Sequence, residues 1–449
     1  MKEQRIILEP FSLLDVLECR GEIGANCHGY MVIKGHINKE SETEYLQMLL
    51  REIWATVKVC DENGNMGVLF SGIVTEGYIE VENDVRALKI KITTGSFGMD
   101  IKEHTRTFQN KGISYETVAI SLMKSYSDGE IIVEKGKGQA VGRFLCQYQE
   151  TDWQFLMRLA SCCHTLLYPN YIGKGIKLYF GMPRGKKQGK INVTEYCLKQ
   201  TEKKIYRIKS RDIFDIGDSV LFCDRQLYVI SRKTELEHQE LVHTYELMQD
   251  EEKVSERFRN DNLTGVSLSA TVTKVEGTNV MVSFWQDENK KTCGSRWFPY
   301  ATIYSSQDGT GWYCMPETGD EVRVYFPSCN EEEAYVLNSM HMESNDSGER
   351  VNPDYKSFMN KQGKEILLKP DSILITNNNG MSLELSDSDG ISIISDKKIS
   401  FRSEEAIEIT SASDRVDIVA PRQIALIQGN TQMVLSENLT MRGAKIRLD

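Results

Sequence analysis

Residues 372–395 read SILITNNNGMSLELSDSDGISIIS. Apolar residues come in pairs one position apart, Ile373/Ile375, Leu383/Leu385 and Ile391/Ile393. Turn formers separate them, Asn377-Asn378-Asn379-Gly380 and then Ser386-Asp387-Ser388-Asp389-Gly390. Side chains two positions apart on a strand share a face. Each pair therefore marks a short strand with one apolar face, and each polar cluster a turn. The pattern continues through Ile399/Phe401, Ile407/Ile409, Val416/Ile418, Ile424/Leu426, Met433/Leu435, Leu439/Met441 and Ile446/Leu448.

A one-chain β-helix closes its hollow with three strands per coil, which takes on the order of 20 residues. Here each repeat supplies one strand and one turn, so a single chain leaves the apolar face open to water. Three chains winding together would close it. The repeat predicts an intertwined, homotrimeric β-helix, a β-prism, over residues 370–449. Its apolar core would be Ile391, Ile393, Ile399, Phe401, Ile407, Ile409, Val416, Ile418, Ile424 and Leu426. The alternative is an antiparallel meander inside a compact domain, although no helix or second sheet follows to cover the face.

Upstream, the chain reads as mainly β. Alternating strands are expected at 54–59, 67–74 and 85–93, a hairpin at 218–231 and a strand at 241–248. Residues 61–65 are expected to form a turn, and 99–111 a loop or strand end. Ser114 can cap a helix reaching Met123, with Tyr115, Val118 and Leu122 on one face. A second helix is expected from Thr151 or Asp152, with Asp152 as its cap and Phe155, Leu156 and Leu159 as its apolar stripe. Between 265 and 340 five short strands suggest a small Greek-key barrel of OB type. The charged stretch 250–263 reads as a junction. The expected organisation is a β-rich hub region over 1–255 with a few short helices, an OB-fold neck over 256–341, a linker over 342–369 and the prism.

At 449 residues the chain has room for several domains. Its net charge of −11 argues against nucleic-acid backbone binding as the main task. No apolar stretch is long enough for a transmembrane helix, and the first residues lack a signal-peptide core. Synthesis in the cytoplasm without classical export is expected. The 11 cysteines are irregularly spaced and include no C-x-x-C, which points to reduced thiols rather than a disulfide framework or zinc ribbon.

Two runs carry a family resemblance. Residues 148–159, YQETDWQFLMRL, are similar to the Y-x-E-[ST]-D-[FW]-x-F-[LV]-x-R-L run of the VgrG spike proteins of contractile injection systems. Residues 311–322, GWYCMPETGDEV, resemble the G-W-x-x-x-P-E-x-G-D-E-V run of their OB domain. Pro316 and Gly319 in the second run are turn chemistry launching a strand from Glu321. The order of hub, OB domain and trimeric β-helix also resembles phage baseplate hub and tail-spike proteins. The resemblance implies a homotrimer that caps an inner tube, contacts baseplate proteins and pierces a target membrane on sheath contraction. It implies assembly in the cytoplasm, then a place in an injection particle or translocation on firing. It also implies a small conical PAAR-like tip protein, or an effector, at the C-terminal end. Ile446 and Leu448 would be the tip's apolar footing, with Arg447 and Asp449 at the rim. The prism is brief, however, and lacks the family's dense Val-Gly repetition. The stretch 342–369 is too short for the lysozyme domain of the phage relative.

No catalytic, cofactor or metal residues are expected, and the chain is not expected to be an enzyme. Cys162-Cys163-His164 cannot converge on one ion, because adjacent helical residues point about 100° apart. His238 and His243 lack the context of a zinc-binding helix. Gly136, Gly138 and Gly142 miss the dinucleotide fingerprint by one position. The basic stretch 184–190 reads as a solvated turn. The aromatics Trp285, Trp297, Tyr300, Trp312 and Tyr313 would suit a single-stranded nucleic-acid face, but the many acidic residues around them favour a structural collar. Other functional classes are a cell-wall hydrolase component, a phage tail spike or a carbohydrate-binding tail fibre.

Overall fold

The computed structural model describes residues 5–60, 66–191, 193, 195–200, 204–249, 257–339 and 352–445. The expected turn at 61–65 lies outside them. The chain is mainly β and divides into two units, Met1–Met342 and Glu343–Asp449.

The first unit is built on a twelve-stranded sheet. Its order is Arg5–Glu9, Trp54–Cys60, Met66–Glu82, Val85–Thr93, Tyr30–Ile37, Glu18–Gly24, Arg225–Glu237, Glu240–Met248, Lys204–Ser210 and Tyr196–Gln200. Ser219–Phe222 pairs with Arg225–Glu237 off this path, and Lys187–Lys190 pairs with Ser219–Phe222. The basic stretch 184–190 is therefore partly an exposed edge strand. Alternation decides which side chains point inward: Ala55, Val57 and Val59 are buried, while Thr56 and Lys58 between them are partly exposed. The two sequence-distant halves of the sheet join where residues 20–24 pair with 231–235. Arg232 is buried near this seam. It donates from Nη2 to the carbonyl of Leu69 at 2.8 Å and from Nη1 to that of Phe214 at 3.2 Å. Its guanidinium lies 5.2 Å from the ring centre of Tyr171.

A second core gathers the helices Tyr115–Met123 and Asp152–Cys162 with a small sheet of Leu167–Pro169, Lys177–Phe180 and Glu130–Val133. Ser114 caps the first helix, accepting from the amide of Thr117 at 3.1 Å, and Tyr115, Val118 and Leu122 are buried as expected. Residues 99–111 hold more than a loop: Glu103–Phe108 is a strand, antiparallel to Leu145–Thr151. Its first inward residues are His104 and Arg106, which are buried. Charged residues at inward positions hide the apolar alternation that reveals other strands.

The OB region forms a five-stranded sheet ordered Phe298–Pro299, Asn279–Phe284, Ser267–Glu276, Glu321–Tyr325 and Tyr335–Ser339. A parallel bridge between Tyr300 and Val336 closes it, and the Ala301 amide donates to the Val336 carbonyl at 2.8 Å. Gly319 has a φ of 97°, and the Asp320 carboxylate accepts from the Glu317 amide at 2.8 Å. This is the turn expected to launch the strand at Glu321. Phe144 and Cys146, which belong to the hub part of the chain, are buried in the barrel's core with Phe284, Phe298 and Phe326.

The second unit holds two antiparallel meanders. One joins Lys356–Met359, Glu365–Leu368, Ser372–Thr376, Met381–Ser386 and Gly390–Ser395. The other joins Ile424–Gln428, Thr431–Leu435 and Leu439–Arg442. The first two strands fall within 342–369, the expected linker. Ile366 and Leu368 extend the one-apart apolar pairing into it, which the reading from residue 370 onward missed.

His243 yields a prediction. It is fully buried, its Nδ1 lies 2.9 Å from Thr234 Oγ1, and its Nε2 has no partner among the described residues. Burial, aided by the charge of Arg232, pushes its pKa down to about 3. An unfolded histidine titrates near ~6.5, so the unfolded chain takes up the proton first. Stability from this site is complete above that value and is lost as pH falls toward the folded pKa, by roughly 1.4 kcal/mol per pH unit. In denaturant unfolding between pH 7 and 4, His243→Asn should flatten the pH dependence by one proton's worth. An unchanged slope would show that His243 does not stay neutral in the fold.

Candidate functional site

Two features stand out: a charged seam between hub and OB barrel, and an uncovered apolar face in the second unit.

The seam grows from the 148–159 run. The strand Leu145–Thr151 leads directly into the helix Asp152–Cys162. Thr151, not Asp152, is the cap: its Oγ1 accepts from the Gln154 amide at 3.2 Å, and Gln154 Oε1 accepts from the Thr151 amide at 3.2 Å. This reciprocal arrangement satisfies two amides at the helix start. Asp152 is thereby freed for another task. Fully buried, its carboxylate accepts from Arg106 Nη1 at 2.5 Å, Gln147 Nε2 at 2.9 Å and the Tyr126 hydroxyl at 2.9 Å. Burial, and then the Asp152 charge, raise the Tyr126 phenol well above its ordinary range.

From there the network crosses into the OB barrel. Arg106 Nε donates to Glu288 at 3.2 Å, and His104 Nδ1 lies 2.7 Å from the same carboxylate oxygen. Partial burial pushes the Glu288 carboxyl up, but the His104 bond and the Arg106 charge outweigh it and hold the group below the usual range. Asp287 accepts from the Thr107 amide at 3.0 Å and from its hydroxyl.

The second crossing centres on Arg158. It donates from Nε and Nη2 to the two oxygens of Glu150, both at 2.9 Å, and from Nη1 to Glu331 at 2.5 Å. Nη2 also reaches the Cys146 carbonyl at 3.0 Å. Arg158, Glu150 and Glu331 are all buried. Burial raises the Glu150 carboxyl despite the Arg158 charge, and burial alone would lower Arg158, yet its two carboxylates raise it. Beside them, Glu332 accepts from the Phe144 amide at 2.6 Å and from Arg296 at 3.0 Å. The polar residues of the run thus specify a joint. The sequence reading placed them only as helix chemistry. The available signal was a Glu and an Asp at a strand-to-helix junction with an Arg two turns into a mostly apolar helix.

Of the other candidates, Cys162 sits beside the joint, its Sγ donating to the Arg158 carbonyl at 3.2 Å. Cys163 is buried and its thiol is pushed up to about 12 by burial. His164 ends the helix at a φ of 52° and is exposed. Trp312 and Tyr313 are exposed on the OB barrel, and the Tyr313 hydroxyl donates to the Gly277 carbonyl at 3.0 Å.

In the second unit the strand register puts the apolar pairs in rows. Ile366, Ile375, Leu383 and Ile393 stand opposite one another across four strands, as do Leu368, Ile373, Leu385 and Ile391. Leu426, Met433 and Met441 repeat the pattern in the second meander. In each meander these rows form an apolar sheet face. Strands pair with their sequence neighbours, as in the meander alternative, but no compact domain surrounds them. None of the described residues from 352 to 445 is buried. Ile391, Ile393, Ile399, Phe401, Ile407, Ile409, Val416, Ile418 and Leu426 are 47–73% exposed, and Ile424 is half-buried. Ile399 through Ile418 lie in a stretch, 397–423, that carries no strand and no backbone–backbone hydrogen bond among the described residues. Ile446, Arg447, Leu448 and Asp449 lie outside the described residues.

The joint yields a prediction. Arg158→Met strands two buried carboxylates and should cost about 3–5 kcal/mol in urea unfolding. Arg184→Met, which breaks the pairing of an exposed arginine with Glu134, should cost less than about 1 kcal/mol. Equal effects would mean that the seam is no tighter than a surface ion pair.

Comparison with known proteins bears on this architecture. Residues 269–341 match the type VI secretion system/phage-baseplate injector OB domain family. No curated protein sequence matches the chain. Among solved structures, the E. coli c3393 protein is similar at a TM-score of 0.52 and 12% identity, over 74% of this chain and 99% of that one. It is described as a component of the type VI secretion system with structural similarity to the T4 bacteriophage tail proteins gp27 and gp5. The Francisella PdpA–VgrG complex in its half-lidded form is similar at 0.58 and 9% identity, over 88% of each chain. A lidless PdpA–VgrG complex gives 0.56 and 10%, over 88% of this chain and 98% of that one. The chain therefore carries an injector OB domain within a fold shared with VgrG-type spike proteins.

Proposed function

We propose that the protein is the homotrimeric central spike and hub of a contractile injection machine, with a structural rather than enzymatic role. The observation that carries this reading is the second unit, none of whose described residues is buried. A sheet with rows of Ile, Leu and Met on one face gains roughly 25 cal/mol for each Å² of that surface removed from water. Nothing within the described part of that unit removes it. Two further copies packed around a common axis would. Strands from neighbouring chains would also supply backbone partners for 397–423, where one chain alone makes no backbone–backbone hydrogen bond among the described residues.

On this reading the twelve-stranded region is the platform that meets the inner tube and baseplate. The OB barrel is the neck, and the meander unit becomes the rigid element that pierces a membrane when the sheath contracts. The charged seam fits that task, because axial load must pass from hub to neck without the joint opening. The end of the chain would dock a conical PAAR-like tip protein or an effector through Ile446 and Leu448, with Arg447 and Asp449 orienting it. Assembly would take place in the cytoplasm, before the spike enters the particle.

Sedimentation of the purified protein should give a mass near three times 51.2 kDa. Ile409→Asp or Ile418→Asp would place three carboxylates in one apolar layer, at several kcal/mol per group. Either change should abolish the trimer or lower its melting temperature sharply. A stable monomer in the unaltered protein, or an unaffected trimer in both variants, would sink the proposal. Removing residues 442–449 should leave the trimer intact while the tip partner no longer co-purifies. Undiminished recruitment would exclude docking at that end.

A further inference from the structure

The hub–neck joint holds a second feature that the structural role does not use. A cavity of about 410 Å³ opens between the 257–259 stretch, the loop 328–333 and the helix that carries Arg158. Arg143, Arg257 and Arg259 line it, and none of the three has a carboxylate partner among the described residues. In a chain of net charge −11, three guanidiniums in one concave site with no carboxylate partner among the described residues call for an explanation.

Arg143 is the clearest case. Its Nη2 donates to Cys162 Sγ at 2.8 Å, and its Nε is buried with no hydrogen-bond partner. Burial holds the Cys162 thiol above its ordinary range despite Arg143 and Arg158 nearby, so the sulfur supplies no negative charge. A guanidinium partly removed from water and answered only by a neutral thiol is costly unless an anion completes it. Arg259 has the same kind of neighbour, with Nη1 3.8 Å from Cys329 Sγ.

The two carboxylates in the wall are occupied. Glu331 is held by Arg158, and Glu333 accepts from Ser328 Oγ at 2.6 Å and Asn330 Nδ2 at 3.0 Å. Phe258 adds an apolar wall. The volume exceeds what a single oxyanion fills and lies in the range of small-molecule sites. Planar guanidinium forks match phosphate oxygens two at a time.

We propose that this cavity binds a small phosphate compound carrying more than one phosphoryl group, held by Arg143, Arg257 and Arg259. Such a ligand would bridge the hub helix, the 257–259 stretch and the OB loop, and so brace the joint. The inference is independent of trimer formation and of the membrane-piercing role.

The test is isothermal titration of the full-length protein with sodium pyrophosphate, against sodium chloride at matched ionic strength. Saturable binding of one pyrophosphate per chain is expected, with a parallel rise in melting temperature. Arg257→Gln and Arg259→Gln alter exposed side chains and should each weaken binding about tenfold, since a charge-assisted contact is worth roughly that factor. Glu333→Gln removes a repelling charge from the wall and should tighten binding, a change that general surface attraction would not single out. No saturable binding, or binding unaltered in all three variants, overturns the site. Binding of single phosphate as strongly as pyrophosphate overturns the call for more than one phosphoryl group.

Discussion

Much of the first unit depends on one buried guanidinium. Arg158 is buried away from bulk solvent, so its charge must be matched by protein groups, and they come from two sides. Glu150 lies on the strand that precedes its own helix, and Glu331 belongs to the OB barrel. Neither carboxylate is comfortable there without the arginine, as the upward displacement of Glu150 records. An apolar contact can slide by an ångström at little cost, whereas a bidentate guanidinium–carboxylate pair tolerates little movement. Ion pairing of this kind adds modest net stability and a strong preference for one relative placement. Arg106 with Glu288 repeats the ion pairing on another part of the same joint, and Asp287 adds the amide and hydroxyl of Thr107.

The two units solve opposite problems. In the first, long apolar residues such as Ile33, Phe70, Phe155 and Leu247 are wholly enclosed, and the buried charges of the joint arrive with partners. In the second, isoleucine and leucine have no cover among the described residues of that unit. Antiparallel hairpins satisfy part of the backbone, yet a single-layer sheet has no interior. Such a sequence is consistent with assembly being the step that completes folding.

Where alternation or capping acts locally, the elements were legible in the sequence. Trp54–Cys60, Val85–Thr93, the Ser114 cap, the turn at Gly319 and the five OB strands all follow from neighbours in the chain. The apolar pairs between 373 and 393 and between 424 and 441 likewise marked strands with one apolar face, whereas those between 399 and 418 fall where no strand forms. What was not legible came from long range. Glu103–Phe108 escaped because its inward residues are charged, and their partner Glu288 stands more than a hundred positions away. Asp152 was read as a cap because acidic residues at helix starts commonly are; its actual partner, Arg106, lies on that unrecognised strand. The early strands Lys356–Met359 and Glu365–Leu368 were passed over because the polar residues around them read as a linker.

Phe144 and Cys146 have a wider consequence. They come from the hub stretch of the chain but fill the centre of the OB barrel, where Phe144 meets Phe284, Phe298 and Phe326. A boundary drawn in sequence near residue 256 therefore cuts through a hydrophobic core. During evolution the neck cannot be exchanged between lineages as a simple cassette: a recombinant that inherits a foreign barrel must inherit its plug as well, or reshape one to fit.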